Sequence, residues 1–207
     1  MRKIGVFGGA FDPPHNAHVA LAKTAIEALG LDEIYIIPTG EAWHKARALS
    51  PPEHRLAMTR LAFAGTPRVV VDNRELDRNG PSFTIETLRS LQVENPDAKF
   101  YLIIGADQFA AFRQWHEWRA ILEIAIICIA ARSRFDWADS QFDAYSELKD
   151  RFLTLPMPAM PVSATQIRQL LASANGQDSD DAVLLSQMVP EAVARYISLY
   201  RLYRTAI

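Results

Sequence analysis

The chain has 207 residues, of which 49% are hydrophobic and 22% charged, and its formal net charge is −2. This composition is ordinary for a globular protein and excludes an intrinsically disordered chain. The small negative charge gives no electrostatic case for nucleic-acid binding, so an anionic ligand must be held by locally placed donors. Because no linker or internal repeat divides the sequence, we expect a single domain over residues 1–207.

Short apolar runs rich in β-branched residues alternate with segments of helical periodicity. The runs predict buried strands over residues 4–7, 34–37, 68–71, 100–104 and 124–130. Helices are predicted over residues 18–29, 53–64 and 83–94, with a final helix over 190–203. This alternation predicts an α/β fold: a Rossmann-like, doubly wound, mostly parallel sheet flanked by helices, with a C-terminal helical portion. Irregular connections are expected over 39–52, 133–145 and 173–181.

Location is predicted from three features of the sequence. Cys128 is the only cysteine, which fits a reducing compartment, and its apolar surroundings indicate a core residue. The first residues lack the apolar segment of a signal peptide. No apolar run approaches the roughly 20 residues that span a bilayer. We therefore expect a cytoplasmic protein without a membrane partner.

Residues 8–18 read Gly-Gly-Ala-Phe-Asp-Pro-Pro-His-Asn-Ala-His and directly follow the first predicted strand. Since side chains three residues apart share a helix face, His15 and His18 are expected side by side at a helix start. A helix N-terminus offers free N–H groups and partial positive charge, which together bind anions. Two imidazoles at such a place suggest chemistry on a phosphate. Neither the P-loop nor the dinucleotide fingerprint fits this segment.

Two other interpretations of the histidine pair stay open. A metal site needs a third ligand, and the other histidines (His44, His54 and His116) show no spacing that supplies one. The pair can also be purely structural. The glycine turn favours a phosphate site, because Gly8 and Gly9 let the backbone approach a ligand closely.

A second candidate phosphate segment is Val-Ser-Ala-Thr-Gln-Ile-Arg over residues 162–168. Ser163 with Gln166 fits a capping box at a helix start. Capping does not require Arg168, which follows one turn later. Arg168 and the free N–H groups of that helix can grip a polyphosphate.

Two further segments contain candidate contacts for a carboxylate, for a ribose and for an aromatic ring of a ligand. Ser82 is a plausible N-cap for the third helix, whose start invites an anion such as a carboxylate. Gly105 ends the fourth strand, and Asp107 just after it suits a ribose hydroxyl. Trp115 can stack on an aromatic ligand or simply pack in the core.

The motifs GGxFDPxHxxH, ELxRxxPSFT, IIGAD, a following tryptophan and VSATQIR occur in this order. Their order and spacing resemble those of bacterial nicotinate mononucleotide adenylyltransferases, within the HxGH nucleotidyltransferase superfamily. The likeness extends from the first strand to the Leu-Tyr-Arg at 202–204. It implies an enzyme of NAD biosynthesis that transfers the adenylyl group of ATP to nicotinate mononucleotide and releases pyrophosphate. ATP, nicotinate mononucleotide and Mg²⁺ are the implied substrates and cofactor.

The resemblance also implies roles for the residues that match the motifs. Catalytic roles are implied for His15, His18 and Arg168, and no residue is implied as a metal ligand. Nicotinate mononucleotide is implied to contact Lys45, Thr84 and Trp115. The implied ATP-binding set is Gly8, Gly9, Ala10, Phe11, His15, His18, Gly105, Asp107, Ser163, Thr165 and Arg168.

The chain departs from the family pattern at two places. Ala17 stands where the family has glycine between the histidines, and Trp43-His44-Lys45 replaces a Pro-Pro-His-Lys/Arg segment. The same chemistry on nicotinamide mononucleotide or phosphopantetheine is an alternative, as is a non-catalytic nucleotide-binding module. The sequence does not determine the oligomeric state.

Overall fold

A computed structural model describes residues 1–41, 48–131, 146–157, 160–173 and 179–204. Its strands are β1 (Lys3–Gly9), β2 (Glu33–Pro38), β3 (Val69–Val71), β4 (Lys99–Gly105), β5 (Ala125–Ala131) and β6 (Phe152–Pro156). Within the described residues these strands form one parallel sheet in the order β3-β2-β1-β4-β5-β6. The predicted α/β fold class is confirmed.

Helices connect and cover the strands. They are α1 (Asn16–Leu29), α2 (Pro52–Phe63), α3 (Thr84–Glu94), α4 (Ala106–Ala110), α5 (Trp118–Ile124), α6 (Ala164–Ser173), α7 (Ser179–Met188) and α8 (Glu191–Leu199). Short 3₁₀ turns lie at Phe112–Gln114 and Ser146–Arg151. No helix in the described segments is long and apolar enough to cross a membrane.

The sheet is buried on both faces, which explains why its strands are almost continuously apolar. Successive side chains of a strand point to opposite faces. On β4, Tyr101 and Ile103 belong to one buried cluster, whereas Leu102 and Ile104 belong to the other. The first cluster includes buried residues of α1, α2, α6, α7 and α8, and the second includes those of α3, α4 and α5.

The predicted strands agree with the structure within two residues at each end, and β6 is an addition that the sequence pattern does not predict. The final helix is predicted over 190–203, but α8 ends at Leu199. The helix cannot continue further because Arg201 and Tyr203 adopt the left-handed backbone conformation, with φ +52° and φ +64°. The Leu202 N–H closes the turn on the Ile197 carbonyl at 3.0 Å.

The strand order creates a crevice between β1 and β4. The chain leaves β1 toward β2 on one side and returns to β4 on the other, so the connections diverge above this pair of strands. Ligands of such sheets bind in this crevice, outside the carboxyl ends of the strands. The segments after Gly9 and after Gly105 both lie at this edge.

Candidate active site

The loop between β1 and α1 is held in place by the buried ring of Phe11. This residue has φ +47°, and its ring packs edge-on against Phe7 at a centroid distance of 5.5 Å. A Cβ on Gly9 would lie 3.2 Å from the same ring, which is tighter than most contacts. A Cβ on Gly8 would meet only the Ile37 carbonyl oxygen, at 4.0 Å. The protein therefore leaves open space beside Gly8, where a ligand can approach the backbone.

The structure brings the two predicted histidines together at the start of α1. Their rings are stacked, with centroids 3.7 Å apart and an interplanar angle of 20°. The His15 backbone N–H donates to His18 Nδ1 at 3.1 Å. Because Nδ1 accepts this bond, the ring proton of neutral His18 lies on Nε2. His18 also packs against the edge of Phe11, with centroids 5.0 Å apart.

His15 is a neutral imidazole at physiological pH. Its side chain lies in the core of the loop, and the residue is only 8% exposed. Burial lowers its pKa from 6.5 to about 4. Its Nδ1 atom is buried and has no hydrogen-bond partner among the described residues. The His15 side chain therefore offers a hydrogen-bonding dipole and not a standing positive charge.

The low pKa of His15 makes folding depend on pH. The unfolded chain binds more protons than the folded one between pH 6.5 and about 4, so the free energy of unfolding falls as pH drops through that window. At about 1.4 kcal/mol per pKa unit, we expect roughly 2 kcal/mol less stability near pH 5 than near pH 7 from this residue. Urea denaturation at both pH values measures the loss. His15→Asn should remove this share, and equal pH dependence in both proteins would contradict the assignment.

The start of α6 lies against the same loop. Arg168 donates through Nη1 to the Asp12 carbonyl oxygen at 2.7 Å and through Nη2 to Thr165 Oγ1 at 3.0 Å. The predicted cap is confirmed, because Ser163 Oγ accepts the Gln166 backbone N–H at 3.2 Å. The Gln166 side chain bonds the Ser163 hydroxyl at 3.0 Å. The second phosphate segment thus reaches the loop of the histidines.

The carboxyl end of β4 supplies the other wall of the crevice. Gly105 is the N-cap of α4, and Asp107 lies exposed in the first turn of that helix. A Cβ on Gly105 would stand 2.5 Å from Asp107 Oδ1. The absence of a Cβ at Gly105 therefore leaves room for the Asp107 carboxylate in the position that it occupies.

The third helix begins later than predicted. The sequence favours Ser82 as the N-cap, but the cap is Phe83 and its side chain makes no capping hydrogen bond. Ser82 is held in an extended segment instead, because its N–H bonds the Glu41 carbonyl at 3.1 Å and Pro81 bridges Glu41. The Ser82 hydroxyl is buried without a partner among the described residues. The open helix start consequently falls at Thr84.

Trp115 lies near this helix start. The Phe83 ring is 4.5 Å from that of His116, which places the residues after the 3₁₀ turn beside the beginning of α3. Trp115 is half-buried and packs against Phe112 at a centroid distance of 5.4 Å. Its part in stacking on a ligand stays a prediction. Lys45 lies outside the described residues, as do 132–145 and 174–178 within the other two expected loops.

One residue that organises the site is not predicted from the sequence. Arg55 on α2 is 1% exposed, and it donates to the carbonyls of Ser50 at 3.0 Å, Ala10 at 3.1 Å and Thr39 at 2.6 Å. It thereby joins the histidine loop, the end of β2 and the start of α2. The available signal is its spacing, since Arg55 shares the buried face of the helix with Met58.

Comparison with known proteins places the chain in a family. Residues 6–170 match the family model described as cytidylyltransferase-like. A probable nicotinate-nucleotide adenylyltransferase of Albidiferax ferrireducens is 53% identical, with 100% of both chains covered. One of Methylibium petroleiphilum is 43% identical, over 98% of this chain and 92% of the relative.

A solved structure supports the fold. It is the Plasmodium falciparum nicotinic acid mononucleotide adenylyltransferase complexed with NaAD. It aligns with a TM-score of 0.74 and 20% identity over 98% of each chain. The matched family model and the high identity to the bacterial relatives show that the chain belongs to the nicotinate-nucleotide adenylyltransferase family.

Proposed function

We infer that the crevice between β1 and β4 transfers the adenylyl group of ATP to nicotinate mononucleotide, giving nicotinate adenine dinucleotide and pyrophosphate. This is a nucleotidyltransferase reaction of NAD biosynthesis. The observation that carries the site assignment is the stacked pair His15 and His18 at the start of α1, with the guanidinium of Arg168 bonded to Asp12 of the same loop. This arrangement concentrates hydrogen-bond donors at the edge of the sheet where nucleotides bind.

The reaction needs no nucleophile from the protein. The phosphate of nicotinate mononucleotide attacks the α-phosphorus of ATP, the new P–O bond forms, and the bond to the pyrophosphate breaks. The protein brings two polyanions together in line and stabilises the charge that develops on the transferred and leaving groups.

We assign the ATP phosphates to the histidine loop and α6. His18 donates through Nε2 to a phosphate oxygen that gains charge in the transition state, and His15 lies against the same group. Arg168, with Ser163 and Thr165, holds the leaving pyrophosphate. The backbone of Gly8, Gly9, Ala10 and Phe11 lines the phosphate path, and Gly105 and Asp107 receive the ribose.

Mg²⁺ enters this scheme with ATP. Families of this type use a divalent metal with the nucleotide, and we propose that Mg²⁺ fills the role. Across the described segments, no group of three or more histidine, cysteine, aspartate or glutamate side chains is arranged to hold a metal ion. The imidazole and guanidinium N–H groups of the site suit phosphate oxygens, and Mg²⁺ bound with the triphosphate would offset charge on the phosphates.

We place nicotinate mononucleotide at the start of α3. The helix start at Thr84 presents N–H groups that suit the nicotinate carboxylate, and the side chain of the N-cap residue Phe83 makes no capping hydrogen bond. Trp115 stacks on the pyridine ring, and Lys45 contacts the phosphate. Selection of the acid over the amide follows from this placement, because a carboxylate interacts more strongly than an amide with a helix N-terminus.

Pyrophosphate release from ATP and Mg²⁺, with nicotinate or nicotinamide mononucleotide as acceptor, tests the function. We expect kcat/KM to favour the acid by at least about tenfold, since one charge-assisted contact separates the two substrates. Preference for the amide would leave the proposed reaction intact but would show that the carboxylate site at Thr84 is wrong. Turnover of phosphopantetheine alone, or ATP binding without turnover of any acceptor, would overturn the function.

Removal of the Trp115 ring should change KM for nicotinate mononucleotide much more than KM for ATP. We expect Trp115→Ala to raise KM for nicotinate mononucleotide by about tenfold, since stacking on an aromatic ring contributes about 1–3 kcal/mol. KM for ATP should change by less than about twofold. Steady-state kinetics with each substrate varied in turn measures both constants. The control is Trp118→Phe, which changes a tryptophan of the core three residues further along the chain. Equal changes in both KM values for Trp115→Ala would contradict stacking.

We further propose that residues 1–207 act as one domain in the cytoplasm, without nucleic acid or membrane. The small net charge supports the absence of a nucleic-acid partner. Burial raises the pKa of the Cys128 thiol to about 12, so it stays protonated as a core residue. A protein with one buried thiol fits a reducing compartment.

A further inference from the structure

A buried hydrogen-bond network centred on Asp12 joins three separate parts of the chain at the histidine loop. Asp12 is 1% exposed. Its Oδ1 accepts the Tyr203 hydroxyl at 2.7 Å, and its Oδ2 accepts the Ser50 N–H at 3.2 Å. Its backbone carbonyl accepts Arg168 Nη1 at 2.7 Å. One residue thus contacts the segment after α8, the start of α2 and the proposed pyrophosphate-binding arginine.

Tyr203 reaches Asp12 because the chain turns back after α8. The backbone of Arg201 and Tyr203 is left-handed, and the Tyr203 ring packs against the core cluster that includes residues of α1, α2 and α8. Burial, together with the neighbouring Asp12 carboxylate, raises the pKa of Tyr203 well above its usual value. The phenol therefore stays protonated at working pH and donates to Asp12.

We propose that Tyr203 is a positioning residue for adenylyl transfer: its bond to the Asp12 carboxylate fixes the loop that carries His15 and anchors Arg168. The two phosphate-binding groups are attached to the same short segment. His15 lies three residues after Asp12, and Arg168 is bonded to the Asp12 carbonyl. A shift of Asp12 moves both groups. This inference rests on the proposed roles of His15 and Arg168.

The alternative is that Tyr203 only attaches the end of α8 to the protein. Other contacts already do this. Val193 and Ile197 are buried in the core, and Tyr196 bonds His54 Nδ1 on α2 through its hydroxyl at 2.9 Å. The Tyr203 hydroxyl is not needed to dock the helix, so its effect should be local to Asp12.

These two hydroxyls give a matched pair of variants. Tyr203→Phe and Tyr196→Phe each remove one hydroxyl from the same part of the chain and keep the ring. We expect kcat of Tyr203→Phe to fall by about tenfold, because displacement of a reacting group by a fraction of an ångström has effects of this size. KM for both substrates should change by less than about threefold. Tyr196→Phe should keep kcat within about twofold.

A second variant keeps the test independent of the stability of the first. Asp12→Asn replaces one of the two acceptor oxygens with an NH2 group, so the bonds from Tyr203 and from the Ser50 N–H cannot both persist as they are, and it should lower kcat to a similar degree. Since the two residues act through one bond, the double variant should be no slower than the slower single variant. Thermal denaturation shows that each protein is folded at the assay temperature.

The outcomes separate this inference from the site assignment beneath it. If kcat of folded Tyr203→Phe stays within about twofold of wild type, or if the effects of Tyr203→Phe and Asp12→Asn multiply, the positioning role is wrong. If Tyr203→Phe does not fold, unchanged kcat in Asp12→Asn overturns the positioning role in its place. Full activity in His15→Ala and Arg168→Ala would instead overturn the proposed site.

Discussion

Replacing His18 with alanine should lower kcat by about 10²–10³, the usual effect of losing one donor to a transition-state oxyanion. His18 Nε2 carries the proton, because Nδ1 accepts the His15 N–H at 3.1 Å. We expect no compensation from His15, because its ring is stacked on that of His18 and is assigned its own contact with the same phosphate group. Because the interaction strengthens in the transition state, kcat and kcat/KM should fall together.

The fold should survive the loss of His18. The residue is half-buried, and its ring stacks on His15 and lies 5.9 and 5.0 Å between centroids from the rings of Phe7 and Phe11. His18→Asn, which keeps a polar side chain but does not extend to the Nε2 position, should be as slow as His18→Ala. His54→Asn on α2 is the control, because the side-chain bond of His54 to Tyr196 belongs to the contact between α2 and α8. Near-full activity in a folded His18→Ala enzyme would falsify the assignment.

The sheet and the histidine pair are predictable because their causes are local. A strand buried on both faces must be apolar along its whole length, so the central strands leave readable runs, and the half-buried edge strand β3 is itself a run of valines. The two imidazoles lie together because residues 15 and 18 are one helical turn apart, and their place at the ligand edge follows from the parallel topology. The reaction is then predicted from the order and spacing of the motifs.

The features that the sequence does not predict depend on contacts between distant residues. Tyr203 bonds Asp12 across 191 positions, and neither residue carries a local signal of this contact. Ser82 has the local features of an N-cap, but a bridge to Glu41 holds its backbone extended and moves the helix start to Thr84. The strand β6 lacks a continuous apolar run, because only Phe152 and Leu155 of its five residues are buried.

Replacing Arg168 with alanine should have the second large effect on activity, because this residue is proposed to hold the leaving pyrophosphate. Its guanidinium donates to the Asp12 carbonyl and to Thr165 Oγ1, which orients the planar group at the start of α6. Arg168→Ala should lower kcat/KM for ATP by about 10²-fold, since loss of a charged donor that is held in place costs about 2–4 kcal/mol. It should also weaken inhibition by pyrophosphate. Initial rates with varied ATP and added pyrophosphate measure both.

Arg168→Lys distinguishes charge from geometry. Lysine keeps the positive charge but has one terminal nitrogen, so it cannot bond Asp12 and pyrophosphate through a planar fork. If orientation matters, the lysine variant should recover only a small part of the lost activity; if charge alone matters, it should recover most of it. Arg195→Ala, which removes an exposed arginine paired with Glu191 on α8, is the control and should leave activity unchanged. Wild-type inhibition by pyrophosphate in Arg168→Ala would mean that this arginine does not hold the leaving group.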